Sequence, residues 1–82
     1  MTDEELRRLI LELICEIAPE ADPAIARDQD DLRETFDLDS MDFANLVVAI
    51  HKRTNIDIPE ADYNKLFTLK SAIAYLLAKA KA

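Results

Sequence analysis

Leu6, Leu9, Ile10, Leu13, Ile14 and Ile17 recur three and four positions apart, so they line one face of an α-helix over residues 3–17. Thr2-Asp3-Glu4-Glu5 in front of them has the form of a capping box, with acids where the helix dipole favours them. Pro19 and Pro23 end the segment. A second stripe, Phe43, Leu46, Val47 and Ile50, places a helix over about 40–54, introduced by Asp39 and Ser40, both good N-cap types. Asn55-Ile56-Asp57-Ile58-Pro59 reads as a turn with two apolar anchors. Pro59-Glu60 then starts a short helix over about 60–66 that carries Tyr63 and Leu66, with Pro at its first position. Thr68 caps a last helix, about 69–80, with Leu69, Ala72, Ile73, Leu76 and Leu77 at helical spacing. The Lys79–Ala82 tail suits the negative end of that helix dipole and is expected to fray. Strand patterns and repeats are absent from the sequence, so the expected fold is all-α: a four-helix bundle of three main helices and a short third one.

Residues 18–39 read as a long connection without sustained periodicity, and loops of that length tend to be functional. Ile25, Leu32, Phe36 and Leu38 are the apolar residues expected to pin it to the core. The 82 residues contain no glycine, which excludes a P-loop or a dinucleotide fingerprint and leaves every tight turn to Asp, Asn or Pro. That length fits one domain, residues 1–82, with a small core. Seventeen acids against ten Lys and Arg give a net charge of −7, the wrong sign for binding nucleic acid and the right one for basic partners. The charge is lopsided: residues 1–42 hold fourteen acids and four bases, and residues 43–82 hold three acids and six bases. No apolar run approaches the ~20 residues of a membrane span or resembles a signal peptide, and the expected setting is a monomer in the cytoplasm.

The chemistry concentrates in Asp37-Leu38-Asp39-Ser40-Met41-Asp42-Phe43. A nucleophilic Ser40 needs a base in reach, yet His51, the one histidine, lies eleven residues on in the same helix, ~16 Å along the axis. A Gly-x-Ser-x-Gly elbow is likewise missing. The acids of 28–34 and 37–42 lack the sixth-position Gly and twelfth-position Glu of an EF-hand loop, so no metal site is expected. Cys15 has no partner for an internal disulfide and no basic neighbour to activate it, and reads as a half-exposed helix residue. Met41, Ala44 and Val48 lie more than ~90° from the core stripe of their helix, an apolar arc that needs a second burial.

A serine heading a helix, preceded by Asp39, followed by an aliphatic residue and reached through a long pinned loop, resembles the acyl carrier protein family. The family hallmark, Asp-Ser-Leu at the start of the second helix, stands here as Asp39-Ser40-Met41. The resemblance extends over nearly the whole chain, from the first helix through Leu32 and Phe36 to the Ile58-Pro59 turn and the Thr68–Leu77 helix. It implies a carrier without catalytic activity. Ser40 would receive 4′-phosphopantetheine from coenzyme A, transferred by a phosphopantetheinyl transferase (holo-ACP synthase) that Asp39 and a metal help to engage. The arm would carry acyl groups as thioesters between enzymes of fatty-acid, polyketide or specialised lipid synthesis, with ligase, ketosynthase or acyltransferase partners. The resemblance also implies a partner surface of Asp37, Met41, Asp42, Ala44, Asn45 and Val48, and an acyl-chain pocket around Phe43, Leu46, Val47 and Ile50. Besides Met41 in place of the hallmark leucine, a mild change, two features depart from the family. Phe36 and Asp37 stand where a glycine is usual, and Asn45, His51, Lys52 and Arg53 replace much of the acidity usual on the second helix. The second departure points to a specialised carrier. A peptidyl or aminoacyl carrier, or an unmodified helical adaptor of the same fold, are the alternatives.

Overall fold

The computed structural model describes residues 1–80. Helix α1 spans Asp3–Ile17, α2 is a single turn at Leu32–Thr35, α3 spans Ser40–Thr54 and α4 spans Leu69–Ala80. Two 3₁₀ segments, Pro23–Ile25 and Glu60–Leu66, complete the order. The three long helices start and end where periodicity and capping residues place them. Residues 81 and 82, the end of the expected frayed tail, lie outside the described residues.

The caps explain those boundaries. Thr2 and Glu5 form the reciprocal box of α1, and their hydrogen bonds hold the Glu5 carboxyl below its ordinary pKa. Thr68 Oγ1 accepts from the Ser71 N–H at 3.1 Å to start α4. Pro59 serves as the N-cap of the 3₁₀ helix rather than as its first residue. Without glycine, the two left-handed positions among the described residues fall to Asp37 (φ 53°) and Asn55 (φ 59°), the residue types that tolerate that region best.

Helix α1 packs against both α3 and α4, and the 3₁₀ helix 60–66 packs against α4. Leu6, Leu9, Ile10, Leu13 and Ile14 of α1 meet Phe43, Leu46, Val47 and Ile50 of α3 and Leu69, Ala72, Ile73 and Leu76 of α4 in one core. Each large aliphatic side chain removed from water there stabilises the fold by roughly 2 kcal/mol before entropy is counted. Ile17 and Leu77 end their stripes only half-buried.

The long connection departs from expectation in two ways. Leu32, Phe36 and Leu38 are buried as anchors, but Ile25 is 53% exposed and pins nothing. The segment is also not structureless, since it contains α2 and the 3₁₀ turn. Backbone bonds do much of the fastening: Leu32 N–H donates to Phe67 O at 2.7 Å, and Lys70 N–H donates to Asp28 O at 3.0 Å. Arg7 pairs with Asp28, and Arg33 with Asp31, whose carboxyl the Arg33 hydrogen bond holds below its ordinary pKa. These acids are thus spread into ion pairs. Among the described residues, no three His, Cys, Asp or Glu side chains converge as metal ligands.

Tyr75 of α4 fastens the 3₁₀ helix by donating its hydroxyl to Asp62 at 2.7 Å. Burial first, and that bond second, push Tyr75 from 10.0 up to about 12. The folded state therefore holds this proton more tightly than the unfolded chain does. The linked stability is intact below pH 10.0 and is lost as pH climbs towards 12. Urea midpoints measured across that window should fall for the wild type and fall less steeply for Tyr75→Phe. Equal slopes would assign the alkaline loss to other groups.

Candidate functional site

The approach to Ser40 is built by a single turn. Helix α2 ends in a Schellman motif: Leu38 N–H donates to Arg33 O at 2.8 Å and Asp37 N–H donates to Glu34 O at 3.4 Å. Asp37 occupies the left-handed position of that motif, where glycine is the usual choice. Leu38 is buried, so the chain is anchored two residues before the serine.

Asp39, not Ser40, is the N-cap of α3. Its Oδ1 accepts from the Asp42 N–H at 2.7 Å, and Asp42 Oδ2 accepts from the Asp39 N–H at 3.4 Å. Ser40 is therefore the first helical residue, exposed, with its hydroxyl outside the capping network. Phe43 N–H reaches back to Asp39 O at 2.9 Å. With Asp42 capped, the orphan donors of the first turn are the N–H groups of Ser40 and Met41.

The expected residues divide cleanly. Met41 (72% exposed), Val48 (46%), Asn45 and Asp37 face solvent. Asp42 and Ala44 are half-buried, and Asp42 is engaged in the cap. Met41, Asn45, Val48 and Lys52, spaced by three and four, run along the side of α3 opposite its core stripe. His51 is exposed, and its Nδ1–H donates to Ile56 O at 2.7 Å, tying down the turn after α3. Arg53 lies 4.0 Å from Glu16 of α1. Cys15 is half-buried, as its spacing implies.

Phe43, Leu46, Val47 and Ile50 are all buried and close-packed. A cavity of about 530 Å³ lies elsewhere, lined by Leu6, Thr54, Ile56, Asp57 and Leu76 among others, at the far end of α3. What sequence reasoning missed is an aromatic cluster. Phe43 meets Phe67 edge-on at 5.3 Å and Tyr63 at 6.4 Å, and the Arg33 guanidinium lies 3.6 Å from the centroid of Phe67. One signal existed, because Phe67 holds the position before the Thr68 cap, where an apolar residue commonly packs back on its helix.

Among the described residues, no histidine and no group of three or more metal-binding side chains stands beside Ser40. The site is an exposed hydroxyl on a rigid helix start, with acids around it and an apolar strip beyond. Residues 8–76 match the family described as "Phosphopantetheine attachment site". The acyl carrier protein of Campylobacter hominis is 30% identical over 73 residues, covering 89% of this chain and 86% of that protein. The acyl carrier protein of Helicobacter hepaticus is 29% identical over 77 residues, covering 94% and 95%. The chain belongs to the acyl carrier protein family, and it is a carrier, not an enzyme. Its cofactor is covalently attached 4′-phosphopantetheine, and biosynthetic enzymes are its partners. Among the described residues, no helix is long and apolar enough to cross a membrane.

The two jobs open to Asp39 can be separated. Asp39→Asn keeps a capping oxygen and should leave the thermal midpoint nearly unchanged. Asp39→Ala removes the cap and should cost about 1 kcal/mol, roughly 4–8 °C in a domain of this size. Calorimetry of the two variants checks this, and equal losses would mean that charge rather than capping holds the helix start.

Proposed function

We propose that Ser40 is the attachment point of the arm, and that the protein carries acyl groups as thioesters for a dedicated biosynthetic pathway. The observation that carries this reading is the division of labour at the start of α3. Asp39 and Asp42 cap the helix, so the exposed Ser40 hydroxyl is left for modification. The residues present fit the group. A phosphodiester on Ser40 Oγ would be held at the positive end of a 15-residue helix, whose Ser40 and Met41 N–H groups are free to donate.

In the loading step, Ser40 Oγ forms a bond to the phosphorus that bears pantetheine, and the phosphoanhydride of coenzyme A breaks. Adenosine 3′,5′-bisphosphate leaves, and the hydroxyl proton passes to a base supplied by the transferase. Asp39 caps through Oδ1, so its Oδ2 is open to a cation that the transferase brings. Once attached, the arm supplies a thiol for thioester chemistry. This chain's own residues hold the attachment point, present Met41 and Val48 to visiting enzymes, and steer basic partners with Asp37, Asp39 and Asp42. Lys52 at the far end of the same strip favours partners with a carboxylate there, which sets this carrier apart from one with a uniformly acidic helix.

Incubation with coenzyme A and a phosphopantetheinyl transferase should add about 340 Da to the wild type and nothing to Ser40→Ala, read by mass spectrometry. An unmodified wild type across several transferases would sink the proposal. Asp39→Asn should load at least about tenfold more slowly, as expected for a lost charge-assisted contact.

A further inference from the structure

We infer that this carrier keeps its cargo outside the helical core, which makes short or polar acyl groups its substrate class. The inference rests on the carrier reading above and concerns where the cargo lies.

Phe43 sits three residues beyond Ser40, ~4.5 Å along the axis, and turns inward with only 6% exposure. Its ring meets the edges of Phe67 at 5.3 Å and Tyr63 at 6.4 Å. The three rings close the seam between α3 and the 3₁₀ helix 60–66 at the Ser40 end. A hydrocarbon chain tethered at Ser40 and entering there meets them first.

The rings are themselves held. Arg33 stacks on Phe67 at 3.6 Å and is fixed in turn by two bonds to Asp31, 3.2 Å from Nε and 2.8 Å from the terminal nitrogen. The Phe67 carbonyl accepts the Leu32 N–H at 2.7 Å. Nearer the other end of the segment, Tyr75 holds Asp62 at 2.7 Å. Residues 60–67 are therefore fastened to the long loop on one side and to α4 on the other. Parting them from α3 to admit a chain means breaking polar contacts as well as ring packing. The cavity of about 530 Å³ lies apart from this seam, opening beside Thr54–Asp57, roughly 20 Å along α3 from Ser40.

The test uses the full-length protein loaded by a transferase with butyryl- or dodecanoyl-coenzyme A, each load confirmed by mass. In the wild type, the two forms should give thermal midpoints within about 1 °C of each other. The amide signals of Leu46, Val47 and Ile50 should coincide in their nuclear magnetic resonance spectra. In Phe67→Ala, or in Phe67→Leu if the first variant does not fold, the dodecanoyl form alone should gain several degrees and shift those signals. A wild type in which dodecanoyl raises the midpoint and moves the core signals overturns the inference. So does a folded variant that behaves like the wild type, because the cluster would then not be what excludes the chain. A wild type that gains no mass with either donor overturns the carrier reading and this inference together.

Discussion

The reciprocal bond between Asp39 and Asp42 is the interaction on which the functional end of this molecule depends. A helix start buries nothing by itself and leaves its first amides unpaired, so some side chain must serve them. If the serine did so, its oxygen would be committed to the fold. Because the two aspartates take the task, the hydroxyl projects from a fixed frame with no structural duty. The same pair places negative charge at the positive end of α3, so capping and dipole compensation draw on the same two side chains.

Around this start, the fold separates rigidity from display. The inward faces of α1, α3 and α4 form a continuous apolar core, and the loop before Ser40 is anchored through Leu32, Phe36 and Leu38. The outward side of α3 carries Met41, Asn45, Val48 and, at its far end, the cation Lys52, with the exposed Asp37 and Asp39 just before the helix. A partner docked along it in reverse would set like charges against each other.

Much of this was legible in the sequence because helices announce themselves locally. The stripes of α1, α3 and α4 follow a period that one chain segment contains entirely, and Thr2, Asp39 and Thr68 mark the starts with side chains that act within four residues. The exposure of Met41 and Val48 followed from the same geometry. What stayed hidden depends on segments distant in sequence. Ile25 is apolar and well spaced, yet the path of the loop leaves it in water. The helical turn at Leu32–Thr35 is too short for periodicity and is held by a backbone bond from Leu32 to Phe67. The contacts among Phe43, Tyr63, Phe67 and Arg33 join four places in the chain, and only the packed fold brings them together.

The left-handed Asp37 carries a consequence for how this protein can change. A non-glycine residue there works against a backbone preference worth about 1–2 kcal/mol for ordinary side chains, less for aspartate, in a domain whose whole stability is of order 4–12 kcal/mol. Aspartate and glycine codons differ by one base, so the relaxed turn is a single mutation away. That mutation would also erase a carboxylate three residues before Ser40. Laboratory evolution selecting for heat resistance would find the exchange early. Position 37 is thus a place where the stability of this fold can be raised by one base change without touching its core.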